Sequence, residues 1–138
     1  MTINGGCLCG QIRYTIDAEP LYAGFCHCRD CMKATGSGFG AFMGFRPADV
    51  TMTGDTRRFT KIGGSGGPTA RYFCPDCGST VYGDGGEANP GREITIYAGT
   101  LDDPEQFQPQ AAIFTRHRPS WARVASDIPQ YEGMVPSE

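Results

Sequence analysis

Seven cysteines supply the chemistry of this sequence, and they fall into three tight clusters: Cys7-Leu8-Cys9, Cys26-His27-Cys28-Arg29-Asp30-Cys31, and Cys74-Pro75-Asp76-Cys77. Cys74 and Cys77 with Gly78 form a Cys-x-x-Cys-Gly knuckle, in which a tight turn points two sulfurs at one ion and the glycine accepts the turn's backbone geometry. Two sulfurs are half of a tetrahedral site. Cys7 and Cys9, also flanked by glycines, are the natural second pair. Four thiolates on Cys7, Cys9, Cys74 and Cys77 close the coordination sphere, so this site is expected to be a structural zinc. It would staple the N-terminal strand to the middle of the chain across more than sixty residues.

The remaining three cysteines lie within six residues. Cys26, Cys28 and Cys31 can converge on one ion where the chain bends through Cys-x-Cys into a helical turn. Three protein ligands with a fourth position left open is the arrangement of catalytic zinc, and soft thiolate donors suit an incoming thiol as the fourth ligand. The expectation is therefore two zinc ions per chain. His27 as a fourth ligand, a three-thiol redox switch and an iron–sulfur cluster remain alternatives that explain the spacing less well. A disulfide framework fares badly, because the count is odd and no export signal precedes the chain.

The elements that must position these residues are short. Gln11 to Asp17 alternates, with Ile12, Tyr14 and Ile16 on one face, which is the period of a half-buried strand. Strand-like runs recur at Leu21–Phe25, Phe39–Phe45, Arg57–Ile62, Ala70–Cys74, Thr80–Tyr82, Glu93–Ala98 and Ala111–Thr115, separated by turn signals. Gly63-Gly64-Ser65-Gly66-Gly67 reads as a mobile hairpin loop. One helix is expected, Arg29 to Thr35, stopped by Gly36. The fold class is mainly β with little helix, a small single domain over residues 1–138 stapled by zinc.

Composition narrows the function. Twelve basic residues against fifteen acidic ones give a formal charge of -3, which argues against nucleic acid, and Arg116-His117-Arg118 reads as a solvated loop. No apolar run is long enough for a membrane span, and with no leader visible the expected location is cytoplasmic. Phe39, Phe42, Phe45 and Trp121 are expected in the core, with a pocket wall as the alternative for the phenylalanines. Tyr72 and Phe73 are expected to shield the structural site. His27 reads as a hydrogen-bonded loop histidine, with a proton shuttle as its functional alternative.

Three segments carry a resemblance: Gly-Gly-Cys-Leu-Cys-Gly-Gln-Ile-Arg-Tyr from Gly5, Cys-His-Cys-Arg-Asp-Cys-Met-Lys-Ala-Thr-Gly from Cys26, and Phe-Cys-Pro-Asp-Cys-Gly-Ser from Phe73. With Ala98–Pro104 and Trp121, they make the chain similar to the glutathione-dependent formaldehyde-activating enzyme family, which also includes centromere protein V. The resemblance implies a tent-like β-sheet fold and the same division of the cysteines between a structural and a catalytic zinc. It also implies a carbon–sulfur lyase of the S-(hydroxymethyl)glutathione synthase type, with a small thiol such as glutathione and formaldehyde or another aldehyde as partners. Met32 departs from the arginine many relatives carry there, leaving Lys33 as the candidate substrate-binding cation, with Arg29 behind it. A non-catalytic zinc scaffold and a thiol- or metal-sensing module are the competing functions.

Overall fold

The computed structural model describes residues 2–124 and 127–137. Its architecture is mainly β with open sheets. A three-stranded antiparallel sheet takes the order β1 (Thr2–Gly6), β2 (Arg13–Asp17) and β5 (Val50–Thr53). A seven-stranded sheet also contains β3 (Tyr22–Cys26), β4 (Gly40–Phe45), β6 (Arg57–Ile62), β7 (Pro68–Phe73), β8 (Thr80–Asp84), β9 (Ile94–Tyr97) and β10 (Ala111–Ile113). Its order is β10-β3-β4-β9-β8-β7-β6, antiparallel throughout except for the β10–β3 pair.

The alternation in β2 does what its period requires. Ile12, Tyr14 and Ile16 are buried, and they share one apolar cluster with Ile3 of β1 and Met43, Phe45, Val81 and Ile96 of the larger sheet. Burying those side chains between the two sheets is the main attraction holding them together. The helix α1 spans Arg29–Thr35 as expected, and Gly36 stops it with φ of 71° while its N–H bonds to Met32 O. The glycine-rich run at 63–67 is the turn of the β6–β7 hairpin. Arg116, His117 and Arg118 are exposed. No helix among the described residues is long and apolar enough to cross a membrane.

Three features differ from the expectation. The strand β5 is not among the expected runs, although Val50 and Met52 alternate with Thr51 and Thr53, and it forms by pairing with β2. Trp121 is not a core residue but 71% exposed, because the chain after β10 runs as turns and irregular segments outside both sheets. The phenylalanine trio divides: Phe45 is fully buried in the core, Phe39 packs edge-on against Phe25 and His27, and Phe42 faces a cavity.

Candidate metal and active site

The four sulfurs of Cys7, Cys9, Cys74 and Cys77 lie within 4.8 Å of one another. Cys7 to Cys9 is 3.6 Å and Cys9 to Cys74 is 3.7 Å. With Zn–S bonds of 2.3 Å, the edge of a tetrahedron of sulfurs is about 3.8 Å, so the spacing fits a zinc-sized ion. Two loops produce it. Between β1 and β2 the Ile12 N–H donates to Cys7 Sγ at 3.2 Å. In the knuckle between β7 and β8, Gly78 takes φ of 78° and the Cys74 N–H bonds to Ser79 O. Ser79, which the sequence did not single out, joins the loops. Its hydroxyl accepts from the Leu8 N–H at 3.0 Å and lies 3.3 Å from Cys77 Sγ. That hydroxyl, helped by backbone N–H groups of Ser79 and Cys9, pulls the Cys77 thiol down to about 5. Donors aimed at sulfur favour the thiolate that metal binding needs.

Cys26, Cys28 and Cys31 form a second group within 4.8 Å, containing no histidine or carboxylate. Cys26 ends β3. Cys28 is the N-cap of α1, its sulfur accepting the Cys31 N–H at 3.3 Å, and Cys31 sits in the first turn. In the metal-free chain, hydrogen bonds from Cys26 and then Cys31 hold the Cys28 thiol far below its usual range, while Cys26 is pushed up by the same contacts and by burial. Three soft donors held this close together are a set that fits a cation. All seven cysteines are free thiols.

His27 does not join this group. Its ring is fully buried, with Nδ1 2.9 Å from Gly38 O and Nε2 without a hydrogen-bond partner among the described residues. Burial keeps its pKa below the usual histidine value. Its backbone N–H reaches Ile113 O at 3.0 Å and so fixes the cysteine turn to β10.

The open group faces a cavity of about 520 Å³, to which Cys26, Cys28 and Cys31 all contribute. Phe114 walls it from the end of β10. This buried residue adopts the left-handed φ of 54°, a conformation costing roughly 1–3 kcal/mol in a non-glycine residue, and packs its ring against Cys26 and Cys31. Arg71 of β7 places Nη2 3.7 Å from Cys31 Sγ, and its Nη1 donates to the Tyr97 hydroxyl. Burial opposes its charge, yet Tyr97 and Cys31 more than offset that and push the guanidinium pKa up. Among the described residues Arg71 pairs with no carboxylate. Lys33 is exposed in the last turn of α1, and neither it nor Arg29 contributes to the cavity wall.

Residues 2–117 match the family described as glutathione-dependent formaldehyde-activating enzyme. The chain belongs to this family. In this member of the glutathione-dependent formaldehyde-activating enzymes, the cysteine clusters of the matched stretch are the two groups brought together above. A crystal structure of a Rhodobacter sphaeroides protein is similar at 21% identity, with a TM-score of 0.50 over 74% of this chain and 88% of that one, which supports the fold alone. No curated protein matches the chain.

Proposed function

We propose that this chain is a zinc-dependent carbon–sulfur lyase that adds a small thiol, glutathione or a similar one, reversibly to formaldehyde or another aldehyde. The observation that carries this reading is the three-sulfur group opening onto a cavity beside an arginine that pairs with no carboxylate among the described residues. Cys7, Cys9, Cys74 and Cys77 would hold a structural zinc, and Cys26, Cys28 and Cys31 a second ion. Zinc at the second position would supply Lewis acidity that lowers the pKa of a thiol in its fourth position. Arg71 favours the thiolate over the neutral thiol through its nearby positive charge.

Thiolate sulfur then bonds to the carbonyl carbon, the carbonyl π bond breaks, and the oxygen takes one proton. No oxidant or reductant is needed. Tyr97 is suited to deliver that proton, because Oη accepts from Arg71 and keeps its own hydrogen free. Burial raises its pKa, so the phenol is protonated at neutral pH. The proton that the thiol gives up on becoming a thiolate passes to solvent, and one taken back from solvent restores Tyr97, so the addition is proton-neutral overall. Holding both reactants in one cavity supplies the rest of the acceleration.

Metal analysis combined with a glutathione titration tests the reading. Close to two zincs per chain, with glutathione perturbing only the Cys26/Cys28/Cys31 site, is the expected result. One tightly held zinc and no thiol response after added zinc would leave a structural zinc domain.

A further inference from the structure

The cavity beside Cys26, Cys28 and Cys31 runs along one face of the larger sheet, and its two ends differ chemically. β3 and β9 point the same way, each antiparallel to β4 between them. They end at the sulfur group, with Cys26 and Tyr97. They begin at the other end, with Tyr22 on β3 and with Arg92 and Glu93 immediately before Ile94 of β9. Tyr22 and Thr95 both stand opposite Gly44 in the register, so their side chains share a face. Gly44 has no side chain, and a Cβ there would run into the Tyr22 ring. The ring can therefore lie over β4 and bring its hydroxyl into a hydrogen bond with Thr95. Phe114, with Met134 and Val135 of the tail, contributes to the rest of the wall.

Most charges along the cavity are already engaged. Asp30 accepts from Lys61 Nζ at 3.0 Å, and the Asp84 carboxylate takes the Tyr72 hydroxyl at 2.9 Å and the Gly86 N–H at 2.7 Å. Arg71 is committed at the sulfur end to Cys31 and Tyr97. Arg92 and Glu93 remain. Both are half-buried, and among the described residues neither enters an ion pair. Arg92 is held in place by Pro68 O at 3.3 Å. Burial raises the Tyr22 phenol and the Thr95 contact opposes this, while the charges of Glu93 and Arg92 push it up and down respectively, so both stand near that hydroxyl. A cation, an anion and two hydroxyls at one end of a cavity complement a group that carries both charges, such as the ammonium and carboxylate on an amino-acid α-carbon.

The span between the ends limits the thiol. Tyr22 and Cys26 are four residues apart on β3, roughly 13 Å. In a γ-glutamyl thiol seven bonds separate the sulfur from the glutamyl α-carbon, about 9 Å when extended. With a bond to the site at one end and a charged hydrogen bond at the other, such a thiol bridges the span. Cysteine, whose sulfur and α-carbon are two bonds apart, does not. Arg71 and Arg92 are the only cations among the described residues of the wall, so the glycine carboxylate of glutathione meets no second unengaged cation there.

We propose that Arg92 and Glu93 are specificity residues that read the zwitterionic head of a γ-glutamyl thiol, Arg92 taking its carboxylate and Glu93 its ammonium, and that the glycine end is dispensable. This rests on the thiol-activation reading above, and the test separates the two. The holoprotein is exchanged with cobalt, whose sulfur-to-metal charge-transfer bands report a thiol at the open site. Glutathione, γ-glutamylcysteine and N-acetylcysteinylglycine are titrated in turn; the second lacks the glycine end and the third lacks the zwitterionic head. S-Methylglutathione, which keeps the head and blocks the sulfur, is followed by saturation-transfer NMR. γ-Glutamylcysteine is expected to perturb the bands within about threefold of the glutathione concentration, and N-acetylcysteinylglycine to need at least about tenfold more. Arg92→Gln and Glu93→Gln should each weaken the glutathione response about tenfold or more, leaving cobalt content and the N-acetylcysteinylglycine response as in the parent. Should either variant lose cobalt, the order of the three thiols in the parent decides alone. An N-acetylcysteinylglycine response equal to that of glutathione, or a γ-glutamylcysteine response about tenfold weaker, would overturn the head-group inference and leave thiol activation standing. S-Methylglutathione contacts on the glutamyl protons, lost in Arg92→Gln, with no thiol perturbing the bands would support the head site and overturn thiol activation. Absence of both responses overturns both.

Discussion

The two cysteine groups share a donor type and differ in nearly everything around it. The four-sulfur group has its sulfurs drawn from two loops distant in sequence, and Cys7 and Cys74 are part of the main apolar core. The three-sulfur group comes from one turn of one chain segment and opens onto a cavity. The first can hold the fold together because closing it fixes a long loop. The second closes almost no loop, so an ion there adds little to chain organisation and leaves a position for chemistry. Loop length and the missing fourth sulfur, more than the thiols themselves, separate structure from function here.

The strongest way to break that comparison is one serine in each group. Cys74→Ser removes a fully buried thiol of the group that would hold the structural ion. Structural zinc in small domains carries about 10–16 kcal/mol of apparent binding energy, against a net stability of about 5–15 kcal/mol for a typical domain. Loss of the cooperative unfolding transition is expected, followed by circular dichroism and by metal content. Cys28→Ser should behave quite differently. Serine is a good N-cap and can still accept the Cys31 N–H, so α1 and the thermal transition should persist while one equivalent of metal and the thiol response disappear. A Cys28→Ser chain that unfolds like Cys74→Ser would erase the distinction.

Within the open site, Tyr97→Phe sharpens the assignment. The ring stays in contact with Phe42 and only the hydroxyl is lost. If that hydroxyl delivers the proton, turnover should fall about 10²–10⁴-fold, with the cobalt response to thiol retained. An unchanged rate would remove Tyr97 from the chemistry and leave it as a partner of Arg71.

Much of this contrast was legible in the sequence. The 4+3 division followed from cysteine spacing and flanking glycines, and Arg29–Thr35 with its Gly36 stop was readable because cap and helix signals are local. Arg71 was not. Nothing near it marks it as part of the site, since its partners Cys31 and Tyr97 are 40 and 26 residues away and meet it only through sheet order. Lys33, two residues after the third cysteine, was the candidate cation near the cluster, with solvent exposure as its alternative, and helix geometry puts it out in solvent. Met134 and Val135 lie in a tail whose contacts to β10 are backbone hydrogen bonds, which leave no side-chain pattern. Trp121 failed for the opposite reason: a large aromatic suggests burial, but no sheet face was available where the chain places it.

The smallest expected effect lies on the closed side. Arg13 of β2 makes a two-pronged ion pair with Asp102, whose own N–H bonds to Asn4 O of β1 at 2.9 Å. The pair therefore clamps the strands leading into and out of the Cys7/Cys9 loop. The Arg13 guanidinium holds the Asp102 carboxyl below its usual range. A carboxyl with a depressed folded-state pKa contributes stability above its unfolded value, about 3.9, and loses that contribution as pH falls through the folded value. Asp102→Asn should thus lower the unfolding temperature slightly at pH 7, and the gap from the parent should narrow below about pH 4. Any bound metal would leave both chains alike as thiols protonate, so the difference between them, rather than either curve, isolates the carboxylate. Both groups are about half exposed (45% and 52%), so 1 M salt, with a screening length of about 3 Å, should close the gap as acid does. Thiol binding at Cys26, Cys28 and Cys31 should not change at all. A shift in that binding would mean that the two groups, so different in loop closure and exposure, are coupled through the sheet between them.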